Sequence, residues 1–334
     1  MNIQTRLSEG KRENIGPKLP LLQPYVLIVD PSSLCNLRCV WCPSSCDELI
    51  KASGRNQTVM DFELFKHIID QLSDFEEPLR VLRMYKEGEP LVNPRFADMV
   101  DYAKKSGYIR RVDTTTNGIL LSPKVNRKII DAGIDQINIS VNGVSTEQIY
   151  RNTGRKVDYK EYVNNIKDLY KNRGECTIYV KAIKDVLTEE EQNIFIDTFG
   201  EISNRVYLER LSPAWPRFDF SNSGYQYEEI GNYGQKVEKR QVCPYIFYIM
   251  VVNSDGTIST CVGDWKHKQI VGDVKKETVR NIWLGEKQKE YQLQHLYGKR
   301  HLFEMCADCK VITHGCYDNI DEWTVEIAEK IANR

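Results

Sequence analysis

The feature that most constrains this 334-residue chain is a regular alternation of strand-like and helix-like segments from Tyr25 onward. Strand candidates are YVLIVD (25–30), LRVLRMY (79–85), IRRVDTTT (109–116), IDQINISV (134–141), TIYVKAI (177–183) and RVYLERL (205–211). Helical patterns fill the intervals. Over 60–74, Phe65, Ile68, Ile69 and Leu72 recur at i, i+3, i+4 and i+7, the spacing of one apolar helix stripe. Asn93-Pro94 and Ser122-Pro123 read as N-caps followed by proline in the first turn. Ser145 with Gln148, and Thr188 with Glu191, have the spacing of capping boxes, and Gly133 and Gly174 stand where helices stop. Six such units in a row imply parallel strands joined by right-handed crossovers. Six are too few for a full eight-stranded barrel. The expected fold is therefore α/β, a partial (β/α)6 TIM-type barrel, with its chemistry at the C-terminal ends of the strands.

After Pro213 the character changes. Residues 213–240 are rich in Ser, Gly, Asn, Pro and Tyr, as in a linker or substrate-covering loop. Residues 241–320 hold a cysteine-rich segment around a hairpin (YIFYIMVV, NSDG, TISTCV), and an amphipathic helix near 321–333 closes the chain. The expected domains are thus a barrel over 24–212, the 213–240 loop, a small cysteine-rich domain over 241–320 and a final helix over 321–334. With 46 basic against 47 acidic residues, the charge gives no pull toward nucleic acid or an anionic membrane. The longest apolar run, Ile246 to Val252, falls far short of the roughly 20 residues that span a bilayer. The polar N-terminus lacks a secretory signal pattern. A cytoplasmic protein without nucleic-acid or membrane partners is expected.

Ten cysteines fall into groups: Cys35, Cys39, Cys42 and Cys46 near the N-terminus, Cys176 alone, and Cys243, Cys261, Cys306, Cys309 and Cys316 toward the C-terminus. In a reducing compartment grouped thiols read as metal or cluster ligands rather than disulfides. Cys35-Asn-Leu-Arg-Cys39-Val-Trp-Cys42 follows the first strand. Four-iron clusters normally take four cysteines, so three leave one iron open. A structural zinc with Cys46 as fourth ligand, or incidental thiols, are the rival readings.

The CxxxCxxC spacing, with Trp41 before its last cysteine, resembles the signature of the radical S-adenosylmethionine (SAM) superfamily. The second strand ends in Lys86-Glu87-Gly88-Glu89-Pro90, which resembles that family's GGEP motif with Glu87 in place of its first glycine. The resemblance covers nearly the whole chain. It implies a [4Fe-4S] cluster on Cys35, Cys39 and Cys42 whose open iron chelates S-adenosylmethionine, and a low-potential electron donor such as flavodoxin or ferredoxin. It further implies that Trp41 lies near the adenine and that Gly88 and Glu89 meet the methionyl amino group. Asn117, Ser140 and Asn142, at the ends of the third and fourth strands, match the places where the family binds ribose hydroxyls; as turn formers they have a second reading. Arg151 is a candidate partner for the methionyl carboxylate, or a solvated surface arginine.

Cys243, Cys261, Cys306 and Cys309 supply four thiolates for a second centre, for which spacing alone leaves tetrahedral zinc open. With Val271-Gly272-Asp273-Val274 and Ile282-Trp283, the segment resembles the SPASM/Twitch extension of the superfamily. Five cysteines here are fewer than a full SPASM domain carries. The segment is closer to the Twitch form with one auxiliary [4Fe-4S] cluster, similar in spacing to the amino-cyclitol dehydrogenases of this subclass. Cys176 reads as a buried small apolar residue.

These resemblances imply a radical SAM oxidoreductase that abstracts hydrogen from a substrate carbon. Oxidation of a carbinol to a ketone follows if a base takes the hydroxyl proton and the auxiliary cluster takes one electron; Asp264 is the candidate base by position, or an ordinary turn aspartate. Lys181 and Lys184 end the fifth strand, and Lys184 is taken as a catalytic candidate, against the snorkelling habit of such lysines. Epimerisation would need a hydrogen donor, for which Cys316 is the candidate. The five histidines show no site spacing. A small polar substrate (sugar, nucleotide-sugar or amino-cyclitol) is expected, because about 24 residues precede the first strand and leave little room for a peptide-leader domain. Trp215, Phe218, Phe220, Tyr225, Tyr227 and Tyr233 in the loop suit ring stacking or lid packing. Peptide or protein modification and a non-enzymatic zinc module remain the alternatives.

Overall fold

In the computed structural model, residues 2–5, 13–315 and 318–334 are described. Cys316 lies outside them. Six parallel strands alternate with helices: β1 (Val26–Val29), β2 (Val81–Met84), β3 (Val112–Thr116), β4 (Gln136–Val141), β5 (Thr177–Ile183) and β6 (Arg205–Glu209). The helices are α1 (Asp47–Ser53) and α2 (Phe62–Asp70) after β1, α3 (Phe96–Lys105), α4 (Pro123–Asp131), α5 (Thr146–Thr153) and α6 (Tyr159–Lys171) after β4, and α7 (Glu189–Gly200). The sheet is a parallel α/β core, as the alternation requires.

The helix boundaries follow the local chemistry. Phe65, Ile68 and Ile69 of α2 are fully buried against the sheet, and Asp61 caps the helix by accepting from the amides of Glu63 and Leu64. Thr188 and Glu191 form a reciprocal capping box on α7. Ser145 caps α5, but Gln148 returns to the Val144 amide at 2.7 Å rather than to Ser145. Asn93 is not the cap of α3. It is buried and its side-chain amide donates to the carbonyls of Pro31 and Met60, both at 3.0 Å. The helix instead begins at Phe96. Asn93 thus ties the loop after β2 to the loop after β1.

The C-terminal segment extends this sheet. β7 (Ile249–Val252) pairs in parallel with β1, and β8 (Thr257–Ser259) and β9 (Ile270–Asp273) follow antiparallel, giving the order β6-β5-β4-β3-β2-β1-β7-β8-β9. β7 is buried along its whole length, the pattern of a strand covered on both faces. At the other edge, the Gln4 amide donates to the Val206 carbonyl at 3.2 Å and the Val206 amide to that of Asn2 at 3.0 Å, covering β6. Beyond β9 come α8 (Val279–Leu284), α9 (Glu286–Leu296), α10 (Glu304–Ala307), α11 (Val311–His314) and α12 (Thr324–Ala332). The last of these packs Ile327 and Ile331 beside Leu296, Val242 and Leu19.

Candidate active site and auxiliary thiol site

The loop leaving β1 carries Cys35, Cys39 and Cys42. It is pinned to the end of α5 by the amides of Arg38 and Val40, which donate to Thr153 and Asn152 carbonyls at 2.9 and 3.1 Å. Cys35 is exposed and the other two are half-buried. Burial, then the charges of Cys42 and Cys35, push the Cys39 thiol well up; burial also raises Cys42. Three thiols this close resist becoming three thiolates unless a cationic centre joins them. The donor set fits an iron–sulfur cluster.

The end of β2 lies directly against this loop. A Cβ on Gly88 would stand 2.2 Å from the Ser32 carbonyl oxygen and 2.3 Å from that of Leu34, so only glycine permits the approach. The next residue, Glu89, donates its amide to Leu34 at 2.9 Å. Its carboxylate is buried and accepts from the Thr116 hydroxyl (2.6 Å), the Asn117 amide (2.8 Å) and the Leu91 amide (3.1 Å). Those donors are all neutral, and burial raises Glu89 to about 7. A buried carboxylate ringed by neutral donors suits a ligand ammonium group.

Asn117 completes the link, donating from its side chain to Asn36 Oδ1 at 2.8 Å. Asn142 and Ser140 are half-buried at the end of β4. The Asn142 carbonyl accepts from Asn152 at 2.8 Å. Trp41 packs edge-on to Tyr225, their ring centroids 6.0 Å apart. Arg151 is exposed, whereas its neighbour Asn152 is fully buried and joins Asn142, Val40 and the Tyr225 hydroxyl. Asn152 was missed in the sequence because nothing in a helical Arg-Asn pair says which side chain turns inward.

A cavity of about 430 Å³ opens at the C-terminal ends of the strands, lined by Arg83, Tyr85, Lys86, Thr115, Lys181 and Glu209 below and by Trp215, Tyr233, Val262 and His314 above. Lys181 Nζ bonds Glu209 Oε2 at 2.5 Å. Lys184 does not share this cavity: it is exposed and lines an outer groove with Ile3 and Gln192. Side chains alternate along a strand, so Lys181 points inward where Lys184, past the strand end, does not.

The second thiol set converges as well. Cys243, Cys261, Cys306 and Cys309 line one cavity with Ile246, Met305 and Gln269. Burial raises the Cys261 and Cys309 thiols, and raises Cys306 to about 12. The Gly263 amide donates to Cys261 Sγ at 3.3 Å and Gln269 Nε2 to Cys306 Sγ at 3.4 Å, outer contacts of the kind that steady cluster thiolates. Among the described residues, no three His, Cys, Asp or Glu side chains form a site for a single metal ion. Asp264 lines this cavity rather than the larger one. Its two carboxylate oxygens accept the amides of Lys268 and Gln269, each at 2.9 Å, which makes it a turn-holding residue and removes it as the general base. Of the loop aromatics, Trp215 and Tyr233 line the larger cavity. Phe218 packs edge-on to buried Trp265, and Phe220 against Tyr227.

Two family models match the chain. Residues 29–194 match the radical SAM superfamily model and residues 243–310 that of the SPASM iron–sulfur cluster-binding domain. The chain is 25% identical over 323 residues to a tungsten-containing aldehyde ferredoxin oxidoreductase cofactor-modifying protein of Pyrococcus furiosus, covering 85% of this chain and 87% of that protein. The fold resembles BtrN in complex with AdoMet and 2-DOIA (TM-score 0.55, 18% identity, 85% and 92% of the two chains). It also resembles anSMEcpe with bound AdoMet (TM-score 0.58, 15% identity, 92% and 98%). The cofactors are S-adenosylmethionine with a [4Fe-4S] cluster in the barrel, and auxiliary iron–sulfur in the C-terminal segment. The chain belongs to the radical SAM superfamily and carries a SPASM domain.

Proposed function

We propose that this radical SAM enzyme oxidises a carbinol carbon of a small polar molecule, a sugar, nucleotide-sugar or amino-cyclitol, held in the cavity at the strand ends. The observation that carries the reading is the Lys181–Glu209 pair facing that cavity. The cavity's wall includes Lys86, three residues before Glu89, and Val262, beside Cys261. When bound, the cluster and S-adenosylmethionine supply the one-electron chemistry that removes a hydrogen atom from carbon.

This chain's residues do the rest. Cys35, Cys39 and Cys42 hold the cluster, and Glu89 holds the methionyl ammonium while Gly88 lets the strand end approach. Asn117, Ser140 and Asn142 offer hydrogen bonds for ribose hydroxyls, and Trp41, braced by Tyr225, offers a ring face to adenine. Glu209, held in place by Lys181, accepts the hydroxyl proton of the substrate. The thiols of Cys243, Cys261, Cys306 and Cys309 would hold the auxiliary cluster, which when bound would take up the one electron that oxidation to a ketone leaves after the hydrogen atom and the proton have gone. A flavodoxin or ferredoxin supplies the low-potential electron that starts the reaction.

Modification of a cofactor-sized molecule is the second reading, favoured by the likeness along most of the chain to a cofactor-modifying protein. Carbon-deuterated amino-cyclitols and sugars test the first. Deuterium appearing in 5′-deoxyadenosine, with a ketone product, supports it. Cleavage of S-adenosylmethionine that never takes deuterium from any carbinol counts against it.

A further inference from the structure

Where the motif after β2 departs from its family pattern, the side chain is the centre of a buried charge cluster. Glu87 Oε2 pairs with Arg55 at 2.8 Å, and Glu87 Oε1 with Lys86 at 2.7 Å and with His267 Nε2 at 2.9 Å. The side chains of Arg55, Lys86 and Glu87 are wholly excluded from solvent, and that of His267 is 8% exposed. A lone carboxylate in this place would be prohibitive; with three basic partners it is held.

The partners reach in two directions. Arg55 donates to the Ser44 hydroxyl at 3.1 Å, two residues past Cys42, and to the Trp265 carbonyl at 3.0 Å, four residues past Cys261. The Ser44 hydroxyl donates in turn to the Glu87 carbonyl at 2.9 Å. Lys86 donates to Asn253 Oδ1 at 2.6 Å and to the Asp264 carbonyl at 3.3 Å as well as to Glu87. Its three N–H donors thus meet three oxygen acceptors, and His267 Nε2 stands 3.4 Å from the same nitrogen. His267 holds φ at 54°, a left-handed conformation uncommon outside glycine. That conformation is kept where the imidazole meets Glu87.

We infer that Arg55, Lys86, Glu87 and His267 form a positioning bridge that couples the auxiliary-cluster loop to the loop holding the S-adenosylmethionine-binding cluster. None of the four needs to touch substrate, and the inference rests on the family membership rather than on the oxidation reading. Coupling of this kind is reciprocal: a change on one loop alters binding at the other by the same factor. The bridge therefore makes S-adenosylmethionine binding at the barrel visible at the auxiliary cluster.

The test uses the full chain with both clusters reconstituted. The midpoint potential of the auxiliary cluster is followed by EPR-monitored titration with and without S-adenosylmethionine, and the affinity for S-adenosylmethionine is measured alongside. His267→Asn keeps a residue tolerant of positive φ while deleting the contact to Glu87; Glu87→Gln removes the central charge. Lys268→Met, on the same loop, loses only a part-buried contact from an exposed lysine to the Ser53 carbonyl and serves as the control. The expected result is an S-adenosylmethionine-dependent shift in the wild type and in Lys268→Met that is lost in His267→Asn. Affinity in that variant weakens about tenfold at unchanged iron content, the size of effect outer contacts to metal sites show. If Glu87→Gln fails to load clusters, His267→Asn at the bridge's rim decides alone. A shift that persists in His267→Asn, or a wild-type auxiliary cluster indifferent to S-adenosylmethionine, overturns the inference.

Discussion

Lys181 on β5 and Glu209 on β6 meet at 2.5 Å across neighbouring strands, and Tyr179 below them places its hydroxyl 3.5 Å from the other Glu209 oxygen. Glu209→Gln keeps the shape and removes the proton acceptor. Product formation should fall by about 10²–10⁴-fold, the usual contribution of a positioned base, while S-adenosylmethionine cleavage continues. The ratio of 5′-deoxyadenosine to oxidised product measures the uncoupling.

Glu89 bears on pH. Burial raises it to about 7, so below that value it is protonated and must ionise to hold an ammonium group. Affinity for S-adenosylmethionine should therefore rise with pH up to about 7 and then level off, roughly tenfold per unit on the acid side. Glu89→Gln should flatten that dependence and bind weakly throughout. Equilibrium binding from pH 5.5 to 8.5 on the reconstituted protein reads both.

Asp30, at the exit of β1, is buried, with the Ser32 backbone the one hydrogen-bonding group acting on its carboxyl among the described residues. Burial, then the charge of Glu87, raises it to about 7. A carboxyl whose native value exceeds its unfolded one binds more protons when folded, so its contribution to stability is present at low pH and lost as pH rises through 7. Asp30→Asn should raise the Tm at pH 8 by about 2–5 °C and by about a third of that at pH 5, where the unfolded carboxyl is already ionised. Thermal melts at the two pH values decide.

The two thiol sets should load separately. Fully reconstituted protein should hold about eight irons per chain, as two four-iron clusters require. Cys39→Ser should lose about half the iron and all S-adenosylmethionine cleavage. Cys306→Ser should lose the other half and retain cleavage. Iron analysis with EPR distinguishes these outcomes from a chain that takes up zinc.

Much of the barrel was legible because its information is local. The TIYVKAI segment is β5 residue for residue, and Ser122, Ser145 and Thr188 cap the helices whose starts they marked. Contacts distant in sequence were not legible. The run YIMVV read as one arm of a hairpin, which it is, but its parallel pairing with β1, more than two hundred residues earlier, did not show. Its unbroken apolar character, buried on both faces, was the available signal. Asp264 looked like a base because a carboxylate near a cysteine carries no mark of the amides it will accept. Glu87 looked like a lapse from a glycine motif, since its partners Arg55 and His267 stand far from it in sequence, on either side.

The parallel pairing of β7 with β1 bears on how this protein can be cut or recombined. Removing everything after residue 240 would strip one flank of the first strand and leave its four buried residues as a sticky border, inviting self-association instead of yielding a free-standing catalytic half. Exchange of tail modules with a relative would have to transplant that seventh parallel strand along with its cysteines, because the boundary between the two halves runs through a hydrogen-bonded ladder rather than a hinge.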